Sequence, residues 1–202
     1  GSEDHTAILC SEPGVLKCFA YAPTRFQRRV VLPADHLFAV AFSGVRAEKT
    51  GGALQAYNRA AQLAGAAAAK WRAATGGDDP HLAAAIAGDG FSHQRMLNAL
   101  SPATGRPTDR QVSEELVRRF EHFLSEDQQI IPAALDGLEK GDLGKFARAV
   151  QASQEGAQRL LGNQIDATVE LVALAREAGA AAASAFGAGF GGSVWALVER
   201  KK

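Results

Sequence analysis

The chain has 202 residues, of which 47% are hydrophobic, and its 22 lysines and arginines balance its 22 aspartates and glutamates. This hydrophobic content is ordinary for a globular protein and argues against disorder along the whole chain. The balanced charge gives no reason to expect nucleic acid or an anionic membrane as a partner. Because no long apolar run and no basic region before an apolar segment is visible, we expect no membrane span, no signal peptide and a cytoplasmic protein.

Short runs of β-branched and aromatic residues make the first third of the chain rich in predicted strands. The predicted strands cover residues 15–21, 28–32 and 37–42. Pro23 and Pro33 lie between them as turn signals. The two cysteines, Cys10 and Cys18, stand in apolar surroundings, which favours buried reduced thiols over a disulfide or a reactive site.

After Ser43-Gly44 the apolar residues follow a helical period. Helices are predicted over residues 53–74, 81–87, 92–100, 108–140, 143–150 and 165–178. In the longest of them Thr108 and Gln111 are placed as a capping box, and Pro132 is expected to kink the helix. Asp142 is predicted to cap the next helix, and the last helix is expected to turn Leu171 and Leu174 inward.

A glycine-rich segment near the end of the chain is the most informative motif. Residues 187–192 read Gly-Ala-Gly-Phe-Gly-Gly, and the apolar run 193–198 that follows is a predicted buried strand. Glycines expose the backbone, so that its N–H groups can approach an anion closely. With the early strands, the central helices and this final strand pair, the predicted fold class is α+β.

Two common nucleotide motifs do not explain this glycine loop. The dinucleotide fingerprint needs a strand before the glycines and a helix after them, whereas a strand follows Gly192. The Walker loop needs a lysine before its Ser or Thr, and Gly192-Ser193 has none. A tight glycine turn that joins two strands stays open as the alternative to a phosphate site.

Residues 178–198 closely resemble the third conserved motif of the GHMP small-molecule kinase superfamily, which includes galactokinase, homoserine kinase, mevalonate kinase and phosphomevalonate kinase. Within it, the galactokinase branch is the best match, and Phe190 between the glycines is typical of that branch. Weaker similarities lie in the same order at residues 1–5, 43–45, 57–59 and 139–146. The resemblance therefore covers nearly the whole chain.

The resemblance implies a fold and a domain division. Residues 37–202 would form the GHMP-kinase C-terminal domain, a ferredoxin-like α/β sandwich with several helices. Residues 1–36 would be the tail end of the N-terminal kinase domain, with the catalytic segment and a few strands from that domain's edge.

The resemblance also implies a set of site residues. Asp4 would be the catalytic carboxylate, although an aspartate there also serves to cap free N–H groups at a helix start. Gly1 and Tyr57 would contact the sugar; Tyr57 also fits a core position on its helix, and Gly1-Ser2 equally matches a cloning scar. The residues that would lie near the ATP phosphates are Gly187, Gly189, Gly191 and Gly192.

The implied function is an ATP-dependent sugar kinase that transfers the γ-phosphate of ATP to a sugar hydroxyl, the anomeric one. ATP and Mg²⁺ are the implied cofactors; no residue of this chain is assigned to a metal, because the histidines and cysteines lack metal-ligand spacing. The alternatives are a non-catalytic sensor that binds sugar or ATP, and a kinase for another small alcohol or an acidic sugar. The sequence predicts no oligomeric state.

Several features depart from the family pattern. Phe186 stands where a threonine is usual, His5 stands where a glutamine is usual, and the helix-rich insertion at residues 75–107 is long. The family's sugar-recognition signature and its phosphate-wrapping P-x-G-x-G-L-S-S-S loop are absent. The chain is therefore expected to be a fragment of a kinase, without activity by itself.

Overall fold

The structure is a computed structural model that describes residues 2–47, 52–186 and 189–200. Five strands are present in this part of the chain: β1 (Val15–Ala20), β2 (Arg25–Val31), β3 (His36–Phe42), β4 (Ala182–Ala185) and β5 (Ser193–Glu199). Its α-helices are α1 (Ser2–Cys10), α2 (Gly52–Thr75), α3 (Leu82–Ala87), α4 (His93–Leu100), α5 (Pro107–Ser125), α6 (Ile131–Glu139), α7 (Leu143–Gly156) and α8 (Asp166–Glu177). Two π-helical segments, Glu126–Ile130 and Ala157–Leu161, follow α5 and α7.

The strands form two antiparallel sheets. β1 and β2 make a hairpin, and the second sheet has the order β3-β5-β4, with β5 in its centre. The predicted last strand pair is confirmed, because β4 and β5 pair directly and Ser184 lies opposite Trp195. The mixture of helices and small antiparallel sheets confirms the α+β class.

Helices α2 to α5 enclose the first hydrophobic cluster, which we call the helical core. Met96, Leu100 and Phe120 have no exposed surface there. Ala67 and Ala68 of α2 are equally buried, and their small side chains let neighbouring helices approach closely. This cluster forms from helical stripes alone and involves no strand of the described structure.

The three-stranded sheet separates two further clusters, because alternate residues of a strand point to opposite faces. On one face Leu197 of β5 packs with Phe146 and Val150 of α7, and with Val30 of the hairpin. On the other face Val194 and Ala196 pack against α8. The hairpin therefore shares a hydrophobic cluster with the C-terminal elements.

The long predicted helix differs from the expectation at both its start and its middle. The Thr108–Gln111 capping box is wrong: α5 begins at Pro107, and its N-cap residue, Arg106, makes no side-chain cap bond. A proline suits the first helical position because its fixed φ matches the helix and it has no N–H to satisfy. Ahead of Pro132 the helix becomes π-helical over Glu126–Ile130 before α6 begins.

Two predictions about later helices have opposite outcomes. The Asp142 cap is confirmed, because its Oδ1 accepts a 2.8 Å hydrogen bond from the Lys145 N–H. The inward placement of Leu174 is wrong: it is 58% exposed, while Thr168 and Val172 are the buried residues of α8. Leu171, the other residue of the predicted stripe, is half-buried and packs against the cluster that contains Val172, as predicted.

The cysteines are not the fully buried thiols that the sequence favours, since Cys10 and Cys18 are both half-buried; neither forms a disulfide. Burial and the neighbouring Arg28 act in opposite directions on the Cys18 thiol, and burial prevails, so its pKa is raised.

Among the described residues no helix is both long and apolar enough to cross a membrane.

Candidate functional site

The glycine loop runs from β4 to β5, and its described part has the backbone conformation that favours glycine. Gly189, Gly191 and Gly192 have φ values of +78°, +123° and +87°. Phe190 between them has φ of +61°, an uncommon value for a residue with a side chain. Gly187 lies outside the described residues.

Close contact between backbones explains two of these glycines. A Cβ at position 189 would lie 2.0 Å from the carbonyl oxygen of Asn163. A Cβ at position 191 would lie 3.0 Å from the carbonyl oxygens of Val45 and Arg46. The loop therefore fits between the segment that follows β3 and the segment that precedes α8, where a Cβ at position 189 would overlap the backbone and one at position 191 would press against it.

Hydrogen bonds fix the loop to these same two segments. The Phe190 N–H donates to the Asn163 carbonyl oxygen at 2.7 Å, and the Gly192 N–H donates to the Val45 carbonyl oxygen at 2.8 Å. The Ser43 N–H in turn donates to the Gly192 carbonyl oxygen at 2.9 Å. These hydrogen bonds thus hold the last residues of the loop, just before β5, against the residues that follow β3.

These bonds correct one part of the sequence interpretation. The glycine-rich sequence predicts backbone N–H groups that are accessible to an anion. In the structure, however, the N–H groups of Phe190 and Gly192 already donate to carbonyl oxygens of the chain. An N–H group has one hydrogen to donate, so neither group is available to a phosphate in this conformation. The neighbouring Gly189 and Gly191 instead allow close packing of backbone against backbone.

The segment that holds Asn163 is itself shaped by a helix end. The π-helical segment after α7 stops at Gly162, which has φ of +68° and whose N–H donates to the Ala157 carbonyl oxygen at 2.9 Å. This left-handed residue turns the chain, so that the buried Asn163 presents its carbonyl oxygen to the loop.

The other predicted site residues are placed by their backbones alone. Asp4 lies in the first turn of α1 and Tyr57 lies in the first half of α2. Both side chains, and Gly1 as a whole, lie outside what the structure describes. The roles of these residues therefore stay predictions.

Sequence reasoning missed a cavity of about 560 Å³ beside the start of the loop. Its walls are mostly apolar and come from the hairpin, the sheet, the π-helical segment Glu126–Ile130, α6 and α7. They include Phe38, Phe146, Val150, Phe186 and Trp195. Phe186, which is 46% exposed, connects the cavity to the glycine loop. The apolar stripes in the sequence indicate residues of these walls, but the space between the walls depends on how these distant elements meet.

Glu126 is the charged residue in the wall of this cavity. Burial raises the pKa of its carboxyl, and a hydrogen bond with Ser153 acts in the opposite direction. Among the described residues no three His, Cys, Asp or Glu side chains come together as a metal site.

Two comparisons with known proteins agree with this architecture. Residues 134–202, which contain α7, α8, β4, the loop and β5, match the family model for the C-terminal domain of GHMP kinases. The chain also superposes on a crystal structure of Lactococcus lactis galactokinase in complex with galactose, with a TM-score of 0.73 and 22% sequence identity. That match covers 98% of this chain and 46% of the galactokinase chain.

The chain thus spans less than half the length of the galactokinase that it resembles. No curated protein matches it by sequence. The family model and the structural similarity confirm the resemblance to the C-terminal region of a galactokinase-like member of the GHMP superfamily.

Proposed function

We propose that this chain, with its galactokinase-like GHMP C-terminal region, is part of an ATP-dependent sugar kinase. The observation that carries the proposal is that one family model covers the whole unit of β4, glycine loop and β5, the same unit on which the sequence motif lies. The reaction is transfer of the ATP γ-phosphoryl group to a sugar hydroxyl, the anomeric one. The structural similarity to a galactose-bound galactokinase supports a sugar as the acceptor.

In this proposal Asp4 is the catalytic carboxylate. It takes the proton of the sugar hydroxyl as the oxygen attacks the γ-phosphorus, and the bond from that phosphorus to the bridging oxygen of ADP breaks. Gly1 and Tyr57 contact the sugar. Gly187, Gly189, Gly191 and Gly192 border the phosphates, where the last three act through the shape of the loop.

The proposed cofactors are ATP and Mg²⁺, and Mg²⁺ supplies positive charge to the phosphate oxygens during the transfer. The proposed domain division places residues 1–36 with an N-terminal kinase domain and residues 37–202 in the C-terminal domain. We expect a cytoplasmic enzyme. We expect no nucleic acid partner, because the positive and negative charges of the chain are balanced.

The test is ATP-dependent phosphorylation of a panel of neutral and acidic sugars by the protein expressed from its complete reading frame. We expect one sugar phosphate to form, and Asp4→Asn to lower kcat by at least about a hundredfold, because general base catalysis contributes that much. Asp89→Asn is the matched control, since Asp89 is an exposed aspartate beyond α3. The 202 residues alone should show no turnover, because they lack the family's phosphate-wrapping loop.

The panel also separates the alternatives. Phosphorylation of an acidic sugar or of a different small alcohol would keep the kinase and change its substrate. Binding of sugar or ATP without any phosphorylation would replace the kinase by a non-catalytic sensor. Full activity in Asp4→Asn would remove Asp4 from the mechanism.

A further inference from the structure

The glycine loop is held at two points by a single network of polar side chains. One point is its entrance at the end of β4, where Ser184 and Ala185 lie. The other is its middle, where Phe190 is bonded to the backbone of Asn163. Both points trace back to one residue of α7, Gln154.

Gln154 fixes the entrance directly. Its Oε1 accepts two hydrogen bonds, from the Ser184 hydroxyl at 2.9 Å and from the Ala185 N–H at 3.0 Å. The side chain is 7% exposed, which is rare for an amide in the interior of a protein. These two bonds hold the last residues of β4 to the helix that packs beneath them.

A second arm leads from Gln154 towards the middle of the loop. The Gln154 Nε2 donates to the Gln164 Oε1 at 3.3 Å, and the Gln164 Nε2 donates to the Asn163 Oδ1 at 3.1 Å. The buried Thr168 hydroxyl also contacts the Gln164 Oε1, at 3.2 Å. The backbone carbonyl oxygen of this same Asn163 then accepts the bond from Phe190.

Part of the network is shielded from water, because Gln154, Asn163 and Thr168 are buried, while Gln164, Ser184 and Ala185 are half-buried. In the described structure no buried side-chain nitrogen or oxygen lacks a hydrogen bond. Removing the Gln154 amide would take one hydrogen-bond partner from the Ala185 N–H and one from the Gln164 Oε1, both in half-buried residues. An apolar side chain of the same volume would fill the space but could form none of the hydrogen bonds of the amide.

We propose that Gln154 is a positioning residue for the glycine loop. One end of its amide sets where the loop begins, and the other end sets the Asn163 carbonyl that holds Phe190 in its left-handed conformation. This inference rests on the proposed function for its catalytic meaning: the loop would border the phosphates, and Gln154 would keep it in the conformation that receives ATP. Gln154 itself does not touch the reacting atoms.

The first test measures amide hydrogen exchange of single residues by NMR in the 202-residue protein. Gln154→Met keeps the volume and removes both ends of the amide. We expect exchange at Ala185 and Phe190 to accelerate by about tenfold or more, because each loses its fixed partner or the support of that partner. Exchange at Ala196 in the central strand should stay within about twofold of the wild-type rate.

Gln154→Glu separates the two arms. The carboxylate keeps oxygens for Ser184 and Ala185 but has no N–H for Gln164. We therefore expect Ala185 to stay protected while Phe190 exchanges faster. Gln151→Met is the matched control, since Gln151 lies one turn earlier on α7, is exposed and bonds only to surface side chains in the described structure.

Two results would overturn the proposal. One is unchanged exchange at both Ala185 and Phe190 in Gln154→Met. The other is an equal acceleration at all three residues, including Ala196, which would mean that Gln154 only contributes to global stability.

The catalytic part is tested with the protein expressed from its complete reading frame. Gln154→Met should raise the KM for ATP by about tenfold and leave the KM for the sugar within about twofold, whereas a general loss of folded protein would lower the active fraction and change neither KM. Equal changes in both KM values, or in neither, would contradict the ATP-specific role. If the wild-type protein transfers no phosphate, the proposed function fails, while hydrogen exchange still decides whether Gln154 positions the loop.

Discussion

The helical core and the sheet around the glycine loop bury their apolar residues to different extents. In the helical core, Met96, Leu100 and Phe120 are enclosed entirely by other residues of α2 to α5. On the edge strand β3 of the sheet, Val40 and Phe42 are 63% and 59% exposed. On the hairpin, Phe26 and Val31 are similarly exposed.

The same difference appears in how the two regions are fixed. The helical core relies on nonpolar packing, supplemented by contacts such as the 3.0 Å bond from the Trp71 indole to Asp79. The glycine loop relies on hydrogen bonds that it donates to the carbonyl oxygens of Asn163 and Val45, and on the Gln154 network. Buried apolar side chains therefore stabilise the helical core, whereas hydrogen bonds and close backbone contacts hold the glycine loop in place.

The largest expected effect sharpens the contrast in burial. Phe120→Ala should lower the free energy of unfolding by about 3–5 kcal/mol, because a fully buried aromatic ring is lost and a cavity remains. Phe42→Ala removes the same atoms from an exposed site and should cost less than about 1 kcal/mol. Urea unfolding of the two variants measures both values, and similar losses would mean that the two regions are equally well packed.

A smaller effect should separate the two regions by their glycines. Gly76 ends α2 with φ of +72° and open space around it, so Gly76→Ala should cost only the left-handed conformation, about 1–2 kcal/mol. Gly189→Ala carries the same conformational cost, and its Cβ also collides with the Asn163 carbonyl oxygen. We expect a further loss of about 1–3 kcal/mol from that overlap.

Thermal unfolding of both alanine variants checks this order. Hydrogen exchange at Phe190 adds a local readout, because displacement of the Asn163 carbonyl should expose that N–H in the Gly189 variant alone. Equal destabilisation by the two substitutions would show that the backbone around Asn163 yields without cost.

The smallest expected effect is a pH dependence of the free energy of unfolding, which arises from a histidine near the end of α5. Burial, with a smaller contribution from Arg119, lowers the pKa of His122 from 6.5 to about 4. The Arg119 guanidinium donates to the His122 Nδ1 at 3.2 Å, a bond that requires the neutral imidazole. Between pH 6.5 and 4 the unfolded chain binds a proton that the folded chain does not, so stability should fall as pH falls through this range.

The variant His122→Gln should flatten this part of the profile of stability against pH, and His5→Gln, at an exposed position of α1, is the matched control. Glu126 acts in the opposite direction, because its raised pKa means that the folded chain holds a proton more tightly than the unfolded one. Repeating the comparison in a Glu126→Gln background separates the two groups. An unaltered profile in His122→Gln would contradict the buried neutral imidazole.

The sequence by itself determined most of the elements and their class. Helical spacing predicted α2, α3 and α4, the Asp142 cap was readable as a residue type before a helix, and the glycine segment between apolar runs predicted the β4–β5 pair. These features depend on local conformational preference, which neighbouring residues decide. The glycine motif also carried the superfamily resemblance, because its residue types are specific without any knowledge of the fold.

Tertiary structure alone decided what the glycines contact and which faces are buried. The carbonyl of Asn163 lies more than twenty residues before Gly189 in the sequence, and nothing local indicates that the two backbones meet. The sequence also gives no local sign of the Gln154 network, of the cavity beside Phe186 or of the exposed position of Leu174 on α8. Such features depend on how distant elements pack, and close packing fixes that only when all of them are present.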